Sequence, residues 1–123
     1  MNRWFAKFAD RERIDYAALK TAVKQVESGL IDADLGGGLI KQRVAREGGG
    51  KSGGYRALIL FRQGDRAVFA FAFAKSAKAN LNAAELRVFK QAARIVLGLT
   101  QTQMDVEVNA GRLFEVIDHD ENL

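Results

Sequence analysis

The sequence predicts an α+β domain built on an antiparallel sheet. Apolar residues recur at spacings of three and four in two segments, Tyr16 to Leu30 and Leu86 to Val96, as on the buried stripe of a helix. Between them lie three strand-like runs, "LIKQRVA", "YRALILFR" and "RAVFAFAFAK". The connections between these runs are short, and short connections join antiparallel strands. The whole order reads helix, three strands, two helices, strand, within one domain spanning residues 1–123. No internal repeat or linker divides it.

The stretch through Arg13 is compatible with a short strand or a helical turn. Asp15 is a good N-cap for the first helix, whose stripe is Tyr16, Leu19, Val23, Val26 and Leu30, and Gly29 is placed to end it. "DADLGGG" then reads as a turn-rich linker. In "LIKQRVA", Ile40 and Val44 share one face while Lys41 and Arg43 share the other, roughly 7 Å apart by strand rise. Gln63, Gly64 and Asp65 connect the next two strands as a hairpin. Their nearly continuous apolar character calls for helices on at least one face. Asn82 with Glu85 makes a capping box for the helix carrying Leu86, Phe89, Ala93 and Val96. Thr100 with Gln103 makes a second box, for a short helix to about Asn109 that Gly111 breaks, and "RLFEVI" reads as a final strand.

At 123 residues the chain can bury its own core without staples. It has no cysteine, which excludes disulfides and thiolate metal sites. The N-terminal "MNRWFAKFADRER" does not look like a secretory signal, and no stretch reaches the length of a membrane span. The expected location is the cytoplasm, with no membrane partner. The net charge of +4 is unevenly spread: residues 36–78 carry nine basic and two acidic groups, a net of +7, and the remainder a net of −3. A concentrated cationic segment points to a polyanionic partner, nucleic acid first.

Several motifs have simpler readings. "AREGGGKSGG" contains Gly50-Lys51-Ser52, but the first glycine of a nucleotide P-loop falls on Ala45, and a strand rather than a helix follows. The single histidine, His119, lies in the acidic tail, so histidine-pair ribonuclease chemistry and a Ser-His-Asp triad in the structured part are excluded. Asp32 and Asp34 read as turn residues bonded to nearby amides rather than a metal pair. Phe61, Phe69, Phe71 and Phe73 read as one apolar core row. Tyr55, at the strand entrance, is the expected exposed stacking residue. Arg62 and Arg66 flank the hairpin and read as its rim. Lys41, Arg43, Arg56 and Lys75 sit in or at the ends of adjacent strands, and on a common face they would form a cleft suited to phosphate.

The run "DADLGGG…IKQRVAR…GKSGGYR…FAK" resembles a RelE/HigB-like branch of the RelE/ParE toxin superfamily, from bacterial type II toxin-antitoxin systems, and the resemblance covers essentially the whole chain. It implies a small twisted antiparallel sheet with helices packed on one face and the cationic cleft on the other. It also implies a ribosome-dependent mRNA endonuclease that inhibits translation, needs neither metal nor cofactor, and is held inactive by a cognate antitoxin. Lys41 and Arg43 match the two basic residues two apart on a strand, Arg56 the arginine of the Ser-Gly-Tyr-Arg motif, and Lys75 the basic group after the last central strand.

Such a site would drive a ribose 2′-hydroxyl onto the adjacent phosphorus, using a base, an electrostatic clamp and an acid. Without histidine, lysine is the base to consider, because an ammonium crowded by other cations loses its proton more readily. Lys41 is the candidate base, Arg43 and Arg56 the phosphate clamps, and Lys75 the transition-state stabiliser. Arg46, Lys51, Tyr55 and Lys78 are the candidate RNA contacts. The chain departs from the family pattern after the last central strand, where "KSAKANL" has no tyrosine. Two alternatives stay open at this stage: a ParE-like gyrase inhibitor without nuclease chemistry, and a degenerate module that only binds antitoxin and nucleic acid.

Overall fold

The computed structural model describes residues 1–45, 54–74 and 81–116. In chain order these form α1 (Arg3–Arg11), α2 (Tyr16–Glu27), β1 (Ala33–Gly36), β2 (Leu39–Val44), β3 (Tyr55–Arg62), β4 (Arg66–Ala74), α3 (Ala83–Leu97) and α4 (Gln101–Asn109). The strands form one antiparallel sheet in the order β1-β2-β3-β4. The α+β class and the antiparallel pairing are as the sequence predicts.

Helices cover both faces of this sheet, which corrects the expectation of helices on one face. Phe5, Phe8, Leu19, Ala22 and Val26 of α1 and α2 pack against Ile40, Val44, Tyr55, Ala57, Ile59 and Phe69. On the other face, α3 and α4 cover Leu39, Leu58, Leu60, Val68 and Ala70. The physical reason lies in the strands: consecutive residues Ala57 to Leu60 are all buried, and a strand that is apolar on both faces needs cover on both.

The N-terminal stretch is a helix because Asn2 caps it, accepting from Phe5 N at 2.8 Å. Asn2 also donates its backbone and side-chain N–H groups to the carbonyls of Phe69 and Ala70, closing part of the β4 edge. Helix α2 ends as its glycine suggests: Gly29, at φ +90°, donates to Val26 O while Leu30 donates to Gln25 O, a Schellman motif. Both expected capping boxes, at Asn82 and Thr100, are present.

Three expectations need correction. "DADLGGG" contains the edge strand β1, short and irregular between Asp34 and Gly36, so its polar and glycine-rich composition masks a real ladder. "RLFEVI" makes only the isolated bridge between Leu113 and Asn2 among the described residues, because its partner segment turns at once into α1. The phenylalanine row is split: an extra residue, Ala70, sits between the partners of Leu58 and Ile59. This bulge reverses the facing of later positions, so Phe69 packs toward α1 and α2 while Phe71 and Phe73 lie toward α3.

Helix α3 is held by its C-terminal end. Arg62 Nη1 donates to Leu97 O at 2.5 Å, and Arg66 Nη1 to Val96 O and Leu99 O at 2.8 and 2.7 Å, so both hairpin arginines serve exposed helix carbonyls. Leu97 then closes over Gly38, where a Cβ would lie 2.6 Å from Leu97 Cδ1 and where φ is +85°. Only glycine fits there. No helix among the described residues is long and apolar enough to cross a membrane.

Candidate phosphate-binding site

The register of β2 on β3 pairs Arg43 with Arg56 and Lys41 with Leu58. Directly paired residues share a face, so Lys41, Arg43 and Arg56 lie together on the α3 side of the sheet, beyond the Leu39 and Leu60 end that α3 seals. Cβ atoms of directly opposed residues stand about 5 Å apart, and like charges in that position repel. A strand pair carrying Arg opposite Arg therefore sacrifices stability unless an anion joins it.

One anion is supplied by the chain itself. Arg56 Nε lies 3.2 Å from Asp32 Oδ2, with the Arg56 side chain only 15% exposed. Asp32 is held in place from behind: its amide donates to Gln42 Oε1 at 2.9 Å, and Gln42 Nε2 donates to Leu30 O at 3.0 Å. Gln42 is buried at 3% exposure between Ile40 and Val44 on the face that packs against α2. A polar residue in that apolar alternation was the one signal in the sequence that a buried anchor lies here. Asp32 itself, read as a turn residue, gave no sign of its partner. Asp34 does behave as a turn residue, its Oδ1 accepting from Gly36 N at 2.9 Å.

The pair with Asp32 does not use every donor of Arg56. Arg56 Nη1 is buried and has no hydrogen-bond partner among the described residues. An unsatisfied buried donor costs roughly 1–3 kcal/mol, more when charged. A phosphate oxygen reaching that nitrogen would remove the penalty and add a charge-assisted bond. Gly54 lies close by: a Cβ there would meet Val44 O at 3.0 Å and Arg43 Nε at 3.5 Å, so this glycine lets the backbone pass close to the guanidinium.

Tyr55 is not part of this surface. It lies on the opposite face of β3 at 4% exposure, edge-on to Phe8 at 5.2 Å, with its hydroxyl donating to Glu12 Oε1 at 2.5 Å. Strand alternation explains the correction, since Tyr55 is adjacent in sequence to Arg56 and so must point the other way. Lys75, Arg46, Lys51, Lys78 and His119 lie outside the described residues. Among the described residues no cluster of three or more His, Asp or Glu side chains gathers as a metal site would.

The family model described as "RelE toxin of RelE / RelB toxin-antitoxin system" matches residues 1–116. Comparisons with curated proteins and with solved structures gave no match.

Proposed function

We propose that this chain, which belongs to the RelE family of toxins from toxin-antitoxin systems, inhibits translation by cutting messenger RNA on the ribosome. The observation that carries the reading is the Arg43 and Arg56 pair with Lys41 beside it, three cations on one face of the sheet, with a buried Arg56 nitrogen that has no hydrogen-bond partner among the described residues.

In this reading the scissile phosphate lies against Arg43 and Arg56, which neutralise the charge that builds on its oxygens as the 2′-oxygen attacks. Lys41, on the same strand face as Arg43, takes the 2′-hydroxyl proton. The phosphorus–5′-oxygen bond breaks and the departing oxygen takes a proton from solvent water, leaving a cyclic 2′,3′-phosphate and a 5′-hydroxyl. Lys75 adds charge stabilisation, an assignment that follows from the family pattern. Asp32 keeps the Arg56 side chain extended in the absence of RNA, and the incoming phosphate competes with it for the guanidinium. The partners are the ribosome with its mRNA and a cognate antitoxin that masks the toxin, and the expected compartment is the cytoplasm. No tyrosine is assigned a role, because the hydroxyl of Tyr55 faces α1.

Induction of the wild-type chain and of Arg56→Ala in a bacterial host, with pulse labelling of protein and DNA synthesis, tests the proposal. Prompt arrest of protein synthesis by the wild type, lost in a folded Arg56→Ala, supports it. DNA synthesis stalling first would favour a gyrase-directed toxin and overturn it.

A further inference from the structure

A second basic surface lies outside the cationic segment of the sequence, on α3. Arg87, Lys90 and Arg94 recur at spacings of three and four and so lie along one face of that helix, spanning about 10 Å by helical rise. Together with Gly37, Gln91, Ala93 and Leu97 they line a groove of about 630 Å³ between α3 and the turn joining β1 to β2. The turn is Gly36-Gly37-Gly38, all three at positive φ, and Lys90 Nζ passes 3.5 Å from where a Gly36 Cβ would be. No side chain from the turn narrows the groove.

Among the described residues the charge of this groove is uncompensated. None of the three cations makes an ion pair with a carboxylate among the described residues. The helix's one acid, Glu85, sits in the capping box at its start, and the nearby Asp34 has an oxygen engaged with Gly36 N. Position matters as much as charge. Leu97 packs on Gly38 and Lys90 on Gly36 and Gly37, so α3 lies across the turn at the Leu39 end of β2. The stripe's helix covers Leu39, Leu58 and Leu60, so it lies on the same side of the sheet as Lys41, Arg43 and Arg56.

We propose that Arg87, Lys90 and Arg94, with the Gly36–Gly38 turn, form a track for the sugar-phosphate backbone of single-stranded RNA flanking the Lys41, Arg43 and Arg56 site. A row of cations in a groove walled by bare backbone suits a chain of regularly spaced phosphates. The groove has no aromatic lining, so it holds the strand without reading its bases. This inference rests on the proposed function for its ligand, but its test does not require cleavage.

Binding of a fluorescent 12-nucleotide single-stranded RNA is measured by anisotropy across a salt series. The proteins are the wild type, the triple variant Arg87→Gln, Lys90→Gln, Arg94→Gln, and a charge-matched control on the far face, Arg3→Gln, Lys7→Gln, Arg11→Gln. Thermal melts confirm that each is folded. The α3 variant is expected to bind at least about tenfold more weakly at 100 mM salt, with a salt slope shallower by about two, since each phosphate contact on a single strand contributes about 0.7. Replacing Arg87 and Arg94 by lysine instead restores binding. Equal losses in the α3 and α1 variants, or no loss in the α3 variant, overturn the track. So does polyglutamate of matched charge binding as tightly as the RNA, which would assign the stripe to an acidic protein. Lost cleavage in an otherwise RNA-binding wild type would sink the nuclease reading and leave the track standing.

Discussion

Arg43 and Arg56 stand opposite one another on paired strands, and Asp32 is the carboxylate that reaches Arg56, at 3.2 Å. Two guanidiniums held at one cross-strand position by backbone pairing are the arrangement on which the proposed phosphate site rests. Pyrophosphate, added as the probe, should therefore raise the melting temperature of the folded protein, by about 2.7 kcal/mol of stabilisation at a hundredfold excess over its Kd. The same titration on Arg56→Ala should show no shift.

Asp32→Asn tests the internal counter-ion. Losing a partly buried pair should cost about 1 kcal/mol in urea denaturation. It should also tighten pyrophosphate binding several-fold, because the competitor for Arg56 is gone. Weaker binding in this variant would mean that Asp32 orients Arg56 more than it competes.

Gln42→Leu removes the acceptor for the Asp32 amide and the donor for Leu30 O in one step. The expected cost is roughly 1–3 kcal/mol, since buried or half-buried backbone groups lose their partners. Growth inhibition per folded molecule should fall as well, because the α2 to β1 connection that positions Asp32 is released.

Tyr55→Phe separates packing from chemistry. It keeps the ring against Phe8 and deletes the hydroxyl's bond to Glu12, for an expected loss of about 1 kcal/mol in a urea titration. Toxicity should persist. A folded Tyr55→Phe without toxicity would place the hydroxyl in the reaction.

Burial of the Met1 amine gives a pH dependence. Desolvation lowers its pKa from 8.0 to about 6, while its N–H donates to Phe114 O at 2.8 Å. The folded state therefore holds this proton less tightly than the unfolded state, so for a chain with a free Met1 amine stability rises with pH. The gain should run from about pH 6 to pH 8 and reach about 2–3 kcal/mol. Urea midpoints at pH 5.5 and 8.5 measure it, and acetylation of the amine should flatten the difference.

How far these features were legible in the sequence depends on what fixes them. Caps and stripes are local, and Asp15, Asn82, Thr100 and Gly29 announced their helices correctly. The shared face of Lys41 and Arg43 followed from strand alternation alone. The pairing of Arg43 with Arg56 depends on register across a glycine-rich connection, and the ion pair with Asp32 depends on β1, which its own composition disguised. Tyr55 was misplaced although the same alternation that placed Arg43 applied to it. The β4 bulge at Ala70 has no local marker, and it decides which phenylalanines face which helices. The basic stripe of α3 went unread in the sequence, which was followed there for its apolar positions, and its relation to the glycine turn appears only once Arg62 and Arg66 anchor the helix end.

Whether the protein cuts messenger RNA on the ribosome is decided by primer extension on a defined messenger, incubated with purified protein with and without programmed ribosomes. Cuts at codon-spaced positions that need the ribosome, and that disappear with folded Arg56→Ala, are the predicted result. Intact messenger in the presence of folded, growth-inhibiting protein would contradict it.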